Sequence, residues 1–518
     1  MTGLGLAVSS SCPIASNAAA LVLQDGGTAF DASIALTACL FATLPMCGGL
    51  GGDVSYTGFH ARKSQAFSHT SFGRAPLNAT SAWFRAHGHK EIPRYGLLSS
   101  TAPAGLGALM AFHAQYGSMP LDRLLEPAIQ IAKGVTVDDQ QSEWIANNLS
   151  VIQRDEELKK VFAPNGDCLQ IGGLLRQDGL AASLAMVGES PGSEDVLEGY
   201  NKALREFSND NGGLFEYDDF FGLADVDESV ENLSLGSSEI WVPGAPSQGP
   251  LVLQAVGLYA RLAESEMPEW KKILLWREIF DTVYCSRKQW LEDPLYRGQG
   301  ARPTIEQLAE SIQGSSRHAG AQYQFSEGDT TQFVVGDRHG NAIAGIISIS
   351  LGFGAGVMDS RTGTIWNNRL GRSSTLNDDS ADCVRGGFRP VNTIHTYAVT
   401  NRDGLVCVGG TPGGDGQVQW NAVTLARHLI DDQPLDAAVE SPRFTCFPGA
   451  DLIEREMLPR IDLESGLGSE ASILQNLGHK TVVKARVQGC QRILSKTKMG
   501  WSVACDGHDK GISIISLS

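Results

Sequence analysis

The chain has 518 residues, 42% of them hydrophobic and 19% charged, a composition that supports a sizeable core and excludes a disordered protein. Its 41 basic and 58 acidic residues give a formal net charge of −17, and so acidic a chain disfavours nucleic acid and anionic membranes as partners. Ten cysteines without any C-x-x-C pair exclude a disulfide scaffold and predict buried, reduced thiols.

We expect the chain to begin directly with an Ala-rich helix. Residues 16–24 have a helical pattern that ends at a Gly-Gly pair, and residues 30–44 have a second one that stops at a proline. No basic leader precedes them, and the most apolar early run, residues 34–44, is too short to span a bilayer. The sequence therefore predicts a cytoplasmic protein. A Gly-rich turn then leads into a strand over residues 54–59.

The middle of the chain, residues 105–310, is predicted to be mainly helical. Amphipathic spacing marks residues 106–116, 121–133 and 251–262 as helices. We expect one loop-rich interval, residues 208–247, to interrupt them.

After residue 330 the hydrophobic period changes to that of strands. Residues 331–335 and 342–350 flank a turn rich in Gly, Asp and Asn, which predicts a hairpin. A further strand, residues 405–408, leads into a Pro-Gly-Gly turn and a helix over residues 418–430. Strands from the last third combined with helices from both halves predict a layered α/β (α+β) sandwich, and not two independent domains.

Two features of this last third have the chemistry of acyl transfer. Thr330 stands at the head of an apolar strand, and cleavage of the Asp329–Thr330 peptide bond would give it a free α-amine that can activate its hydroxyl. Gly413 and Gly414 lie in a turn whose backbone N–H groups could hold an oxyanion while a substrate approaches closely. Each pattern is common when taken alone, because polar strand starts and Gly-Gly turns occur in many folds.

The order of short motifs along the chain is more specific than any single motif. The first part has an Ala-rich helix, a Gly-Gly break and an Asp-Ala helix over residues 15–38, a Gly-rich segment at 48–53, and Tyr-Gly-Ser-Met-Pro-Leu at 116–121. The later motifs are Pro246-Ser247-Gln248-Gly249, Asp293-Pro294, Thr330-Thr331, residues 337–342, residues 352–356, Gly363, Asn367-Asn368, Arg389-Pro390, residues 411–414 and residues 441–444. In this order they resemble the γ-glutamyltranspeptidase family of N-terminal nucleophile hydrolases over nearly the whole chain.

The resemblance implies a precursor that cuts itself before Thr330. A large piece, residues 1–329, and a small piece, residues 330–518, would then form one catalytic unit with a four-layer αββα sandwich fold. The resemblance implies no metal and no organic cofactor. The implied partners are a small-molecule acyl donor and water or an amine acceptor, and a homodimer of the two-piece unit is compatible with it.

Matching positions assign roles to individual residues. Thr330 matches the nucleophile, and Ser348 matches a second hydroxyl residue that bonds to the nucleophile's amine and hydroxyl. Gly413 and Gly414 match the oxyanion pair, and Asn368 belongs to the Asn-Asn pair that lines the acyl-donor pocket.

The acyl-donor pocket departs from the family pattern. Arg372 stands where members that bind a γ-glutamyl group have an acidic residue for the substrate's α-ammonium, and Arg369 lies three residues before it. A cation there repels an ammonium and favours a carboxylate through a bidentate pair. Asn392 and Thr393 replace a pair of serines that binds the glutamyl carboxylate, and Arg74 is the candidate replacement for the family's carboxylate-binding arginine.

Two interpretations remain open at several positions. Arg372 either binds a substrate carboxylate or is a surface residue that offsets part of the negative net charge. Asp415 and Gln417, just after the Pro-Gly-Gly turn, either cap the following helix or reach the pocket. A packed His395 is favoured over a catalytic one.

These departures predict an amidohydrolase for a small amide that bears a carboxylate. Oxamate is the smallest such donor, and its hydrolysis gives oxalate and ammonia, so the oxamate amidohydrolase branch of the family fits the pocket pattern best. The alternatives are a γ-glutamyl hydrolase or transferase with a rearranged pocket, and an acylase or carbon–carbon hydrolase that acts on an oxalyl-type ketone. A fourth hypothesis, an uncleaved binding protein, is disfavoured because the nucleophile and both glycines are retained.

Overall fold

The computed structural model describes residues 5–220, 226–296, 300–314, 329–447, 459–508 and 511–516. Two six-stranded antiparallel sheets lie face to face, and helices cover the outer face of each. The expected αββα sandwich is confirmed. Each sheet takes strands from both sides of the Asp329–Thr330 junction, so the two parts of the chain share one core.

The first sheet carries the strand that follows Thr330. Its strands in spatial order are Ile512–Ser516, Leu6–Ser10, Thr331–Gly336, Ala342–Ser348, Asp53–His60 and Gln65–Ser71. The central pair is the predicted hairpin, with Thr331 opposite Ile347 and Gly336 opposite Ala342. All residues of both hairpin strands are buried, which explains their continuous rather than alternating apolar pattern.

The expectation that the chain begins directly with a helix is wrong. Leu6–Ser10 forms a strand that pairs with Thr331–Gly336 on one side and with Ile512–Ser516 on the other. Its sequence, Leu-Ala-Val-Ser-Ser, is short and carries little strand preference of its own, so its pairing partners decide its conformation. The helix Pro13–Gln24 follows after a short break.

The second sheet carries the strand that leads to the glycine turn. Its strands in spatial order are Gly500–Cys505, Arg492–Thr497, Gly404–Gly410, Tyr397–Asn401, Ser238–Pro243 and Val230–Leu235. The last two form a hairpin inside the interval that we expected to be loop-rich, and that expectation is corrected. The polar residues of this edge strand, together with the turn at Gly236, gave it the composition of a loop.

Three smaller sheets complete the strand inventory of the described residues. Their strands are Phe444–Phe447, Arg460–Glu464 and Thr481–Lys484; Met358–Asp359 and Thr364–Ile365; and Val135–Thr136 and Leu174–Leu175.

Most of the helices fall into two groups, one for each sheet. Against the first sheet and its extensions lie Pro13–Gln24, Ala29–Thr43, Gly105–Tyr116, Leu121–Lys133, Asp139–Asn147, Leu149–Ile152, Glu156–Phe162, Asp178–Glu189 and Glu194–Asp210. The short helix Ser81–Ala86 instead packs in a small cluster that contains Phe84 and Leu370. Later in the chain come Gly249–Leu262, Glu269–Trp290, Ile305–Gly314, Arg369–Ser373, Gly416–Leu429, Leu435–Glu440 and Gly468–Asn476. None of the helices in the described ranges combines the length and apolar character needed to cross a bilayer.

Small side chains let the two sheets approach each other. The layer between them contains Ala7, Ala344 and Ala398 together with Trp501, all buried. At Gly336 an added Cβ would lie 2.7 Å from the Trp501 ring, so glycine is needed there for the sheets to pack. This close packing holds the strand after Thr330 rigidly between its neighbours.

A glycine inside the central hairpin provides a test of that packing. Gly345 lies directly opposite Phe333, and a Cβ at Gly345 would stand 2.2 Å from the buried Phe333 ring. We expect Gly345→Ala to lower the free energy of unfolding by about 1–3 kcal/mol, because the ring cannot move without disturbing the core. Denaturant unfolding of the purified protein measures this change.

Gly199→Ala is the matched control. Gly199 lies in the helix Glu194–Asp210, and its added Cβ would meet nothing within 4 Å. Alanine in a helix is expected to leave stability unchanged or to raise it by up to about 1 kcal/mol. Equal stability of both variants would contradict the close packing of the hairpin.

Candidate active site

Thr330 and Ser348 meet at one end of the central hairpin. The Thr330 Oγ1 donates a hydrogen bond to the Ser348 Oγ at 3.2 Å, and both residues are buried. The hairpin register explains the contact, since Thr331 pairs with Ile347 and the next pair along the ladder is Thr330 and Ser348. The register therefore fixes the distance between these two predicted catalytic residues.

Ser348 also contacts the peptide group that precedes Thr330. Its Oγ donates to the Asp329 carbonyl oxygen at 3.4 Å and accepts from the Ser350 N–H at 3.0 Å. The hydroxyl of Thr330 and the carbonyl of Asp329 are thus bound to the same serine. This arrangement orients the two groups that an acyl shift from nitrogen to oxygen would join.

The Pro-Gly-Gly turn adopts a backbone conformation that requires glycine. Gly413 and Gly414 have φ angles of +124° and +59°, and a Cβ on Gly413 would lie 2.3 Å from the Trp420 ring. The turn connects the strand Gly404–Gly410 to the N-terminus of the helix Gly416–Leu429. Helix N-termini carry a partial positive charge, so the surroundings of the turn favour a developing oxyanion.

The glycine turn begins close to the strand that follows Thr330. A Cβ on Gly410 would lie 3.6 Å from the Gln332 side chain, two residues after Thr330. Gln417, with its amide nitrogen oriented for donation, reaches the carbonyl oxygens of Thr393 and Thr411 at 3.3 Å each. Gln417 therefore ties the turn to the neighbouring loop.

Asp53 binds two of the residues that we expected to bind substrate, Arg369 and Asn392. The Arg369 Nε donates to its Oδ2 at 3.1 Å, and the Asn392 Nδ2 donates to the same oxygen at 2.8 Å. The Gly73 N–H binds the other carboxylate oxygen at 2.9 Å, and Arg369 also reaches the Thr393 hydroxyl at 3.4 Å. Burial lowers the pKa of Arg369, and the Asp53 carboxylate opposes that shift.

This buried cluster was only partly visible in the sequence. Asp53 ends the Gly-rich segment, and this position directly after several glycines was the one signal in the sequence that marked the carboxylate. Nothing in the spacing connected it with Arg369, which lies in the other half of the chain. The Arg369 Nη2 is buried and has no hydrogen-bond partner within the described ranges.

Asn368 binds backbone groups on two loops. Its Oδ1 accepts from the Leu351 N–H at 3.1 Å, and its Nδ2 donates to the Arg94 carbonyl at 3.2 Å. Arg74 contacts the Gly387 carbonyl at 3.2 Å and Asp293 at 3.5 Å. In this structure both side chains therefore hold protein segments in place.

Arg372 lies inside the protein, so its interpretation as a surface residue is wrong. It is 6% exposed, and its Nη1 donates to the Ser350 carbonyl at 2.9 Å, two residues beyond Ser348. Ser350 has a φ of +82°, an unusual conformation for serine that this contact helps to hold.

The positive charge of Arg372 acts on the Asp329 carboxylate. Burial raises the pKa of Asp329, while Arg372 and a hydrogen bond from the Gly352 N–H oppose the rise. A carboxylate therefore already lies in the field of Arg372, directly before Thr330.

Two further positions have structural partners. Asp415 accepts from the Arg287 Nη1 at 2.9 Å and from the Gln248 Nε2 at 2.7 Å, and its side chain does not cap the following helix. His395 is fully buried between the Thr393 carbonyl and Asn421, and burial lowers its pKa to about 4. It is therefore neutral at pH 7 and packed in the core.

Residues 15–515 match the family model described as gamma-glutamyltranspeptidase. The chain belongs to the γ-glutamyltranspeptidase family. It is accordingly an enzyme, a hydrolase of the N-terminal nucleophile type. The expectation drawn from the order of motifs is confirmed at the level of family and fold.

Relatives in this family carry different activities. The glutathione hydrolase proenzyme of Bacillus subtilis (strain 168) is 26% identical over 508 residues, covering 91% of this chain and 84% of the relative. The oxamate amidohydrolase proenzyme of Klebsiella pneumoniae subsp. pneumoniae is 26% identical over 445 residues, with 83% of each chain covered. Such similar identities to two different enzymes mean that family membership does not select a substrate.

A solved structure agrees with the fold. Cephalosporin acylase from Bacillus halodurans superposes with a TM-score of 0.86 at 23% identity, covering 99% of this chain and 96% of that one. At this identity the likeness supports the architecture, and the substrate has to be argued from the site.

The buried ion pair beneath the site provides a second test. We expect Asp53→Ala to lower the free energy of unfolding by about 3–5 kcal/mol, because it leaves the Arg369 charge buried without its carboxylate. Asp378→Ala is the control: it removes a carboxylate from an exposed ion pair with Arg85 and should change stability far less. Equal denaturation midpoints for the two variants would contradict the structural role of Asp53.

Proposed function

We propose that the chain is a self-processing threonine amidohydrolase with Thr330 as its nucleophile. The support is the contact of Ser348 with both the Thr330 hydroxyl and the Asp329 carbonyl. Cleavage at Asp329–Thr330 separates a large piece that ends at Asp329 from a small piece that runs from Thr330 to Ser518. The relatives named above are described as proenzymes, which agrees with a processed product.

Processing follows from the chemistry of this junction. The Thr330 Oγ1 attacks the Asp329 carbonyl carbon, the bond from that carbon to the Thr330 nitrogen breaks, and the nitrogen takes up the hydroxyl proton. The resulting ester links Asp329 to the Thr330 side chain. Water then hydrolyses the ester, which releases the Asp329 carboxyl group and leaves Thr330 with a free hydroxyl and a free α-amine.

The new α-amine serves as the base for turnover. It accepts the Thr330 hydroxyl proton while the oxygen attacks the amide carbonyl of the substrate. The N–H groups of Gly413 and Gly414 hold the oxyanion, a role that their turn beside a helix N-terminus supports. The protonated amine then gives its proton to the leaving nitrogen, and water hydrolyses the acyl-enzyme.

The acyl donor carries a carboxylate, and the observation behind this choice is the buried Arg372 beside the nucleophile. Its charge already acts on the Asp329 carboxylate, which directly precedes the nucleophile. A buried guanidinium favours an anionic partner and penalises an ammonium group. Oxamate fits these requirements as the smallest carboxylate-bearing amide, and the expected products are oxalate and ammonia.

A γ-glutamyl amide is the second candidate, because several relatives hydrolyse glutathione according to their names. A γ-glutamyl group also has a carboxylate, but its α-ammonium would lie in the field of Arg372. Release of a chromogenic amine from a γ-glutamyl anilide tests this candidate. A faster release than that of ammonia from oxamate would contradict our choice of donor and leave the threonine mechanism intact.

Removal of the Arg372 charge tests the carboxylate grip. We expect Arg372→Gln to lower kcat/KM for oxamate by roughly 30- to 4,000-fold, the range for losing one partner of a buried charge pair. Oxamide has an amide in place of the carboxylate, and its hydrolysis should fall far less. Loss of the Ser350 contact affects the hydrolysis of both substrates, so the ratio of the two rates isolates the effect on carboxylate binding.

Two controls complete this experiment. Arg361→Gln removes an arginine whose side chain is 52% exposed and should leave both rates unchanged. Thr330→Ala should release ammonia from neither substrate. Equal losses for oxamate and oxamide in Arg372→Gln would show that the arginine supports the loop and does not bind the carboxylate.

A further inference from the structure

Two cysteines, one at the end of a strand and one just before the neighbouring strand, meet behind the glycine turn. The sulfur atoms of Cys490 and Cys505 and a carboxylate oxygen of Asp506 all lie within 4.8 Å of one another. Cys505 ends the strand Gly500–Cys505 opposite Arg492, while Cys490 precedes the neighbouring strand by two residues. This placement brings the two sulfur atoms together at the end of the sheet.

The surroundings of Cys505 favour its thiolate. A hydrogen bond from Cys490 lowers the pKa of Cys505 to about 7; burial opposes this shift, and the Arg492 charge adds to it. Asp506 is the nearby charge that acts in the other direction. By contrast, burial raises the pKa of Cys168 and of Cys285, the other two partly exposed cysteines of the described ranges.

The same surroundings disfavour a metal ion. Arg443 contacts Asp506 at 3.1 Å, and the N–H groups of Gln491 and His508 donate to its carboxylate at 2.7 and 3.0 Å. The carboxylate is thus committed to protein donors, and two guanidinium groups, those of Arg443 and Arg492, would repel a divalent cation. A thiolate with a neighbouring thiol has the arrangement of a redox pair, in which one cysteine reacts and the other resolves.

We propose that Cys490 and Cys505 form a redox-active dithiol that a small-molecule disulfide oxidises to an intramolecular disulfide bond. The Cys505 thiolate attacks one sulfur of the reagent and expels one thiolate, which gives a mixed disulfide. The Cys490 thiol then loses its proton and attacks the Cys505 sulfur, expelling the second thiolate. The protein loses two electrons and two protons, and the reagent becomes two thiols.

Closure of this bond acts on the segment that packs against the glycine turn. A disulfide needs its sulfur atoms about 2.05 Å apart, so Cys490, which lies outside the strand, has to move toward Cys505. The preceding residue, Gly489, is packed so tightly that an added Cβ would lie 2.7 Å from the Trp420 ring and 2.8 Å from the Thr411 hydroxyl. Trp420 is also the ring that contacts Gly413, so oxidation changes the surroundings of the turn.

The first experiment measures the reactivity of each thiol. The purified full-length protein is treated with iodoacetamide at pH 7, and labelling is followed cysteine by cysteine by mass spectrometry. At this pH, Cys505 should react at least roughly fivefold faster than Cys168 or Cys285, because its larger thiolate fraction outweighs its weaker intrinsic nucleophilicity. Labelling of Cys505 at or below the rate of these two would overturn the proposal.

The second experiment uses 2-hydroxyethyl disulfide as the oxidant. The wild type should become two hydrogen atoms lighter and yield a cross-linked peptide containing Cys490 and Cys505, and dithiothreitol should reverse both changes. Cys490→Ser should stop at a stable mixed disulfide on Cys505, whereas Cys505→Ser should not react at this site. Cys168→Ser is the control and should behave as the wild type.

Amide hydrogen exchange tests the link to the glycine turn. Exchange of residues 411–416 should differ between the oxidised and reduced wild type and should not change in oxidant-treated Cys505→Ser. A wild type that stays reduced, stops at the mixed disulfide or binds zinc tightly through both cysteines would overturn the redox pair. Unchanged exchange after full oxidation would overturn its link to the turn.

Discussion

The pairing of two buried strands determines the geometry of the whole site. Thr331–Gly336 and Ala342–Ser348 form a central hairpin in which every strand residue is buried, and its register brings Thr330 to Ser348. A slip of one residue would send every side chain of the strand to the opposite face. The flanking strands Leu6–Ser10 and Asp53–His60 exclude such a slip, because they pair with the outer edges of the hairpin.

The two arginines near this hairpin, Arg369 and Arg372, have different kinds of partner. Arg369 forms a buried ion pair with Asp53. Asn392 and Gly73 donate further hydrogen bonds to the Asp53 carboxylate, which holds the pair in place. Arg372 binds the Ser350 carbonyl, and its charge acts on the Asp329 carboxylate. This difference is why we assign the substrate carboxylate to Arg372 and a supporting role to Arg369, although the two residues are one helical turn apart.

The sequence predicted the elements that have strong local signals. The helix Leu121–Lys133 and the central hairpin were predicted to within two residues because apolar spacing and turn residues agree there. The strand Leu6–Ser10 was missed because its pairing partners, which lie in the last third of the chain and at its very end, decide its conformation. The edge hairpin was missed because exposed edge strands carry loop-like polar residues.

Within the site, too, the residues with a local sequence signal could be predicted and the others could not. Residues in ordered motifs, such as Thr330 and Gly413, could be singled out from the chain, since their chemistry needs particular residue types. The buried Asp53–Arg369 pair could not, because it joins two segments far apart in the chain that no local pattern relates. Burial also excluded the surface interpretation of Arg372, and burial depends on the assembled fold.

The central claim is that Thr330 becomes the N-terminus of a catalytic piece by self-cleavage. The most direct measurement is N-terminal sequencing and intact-mass analysis of the denatured, purified wild type. We predict a piece that begins with Thr330 and ends at Ser518, and a single uncleaved chain in Thr330→Ala. A wild type that remains one 55.3 kDa chain after prolonged incubation, or a new N-terminus at another residue, would contradict the account.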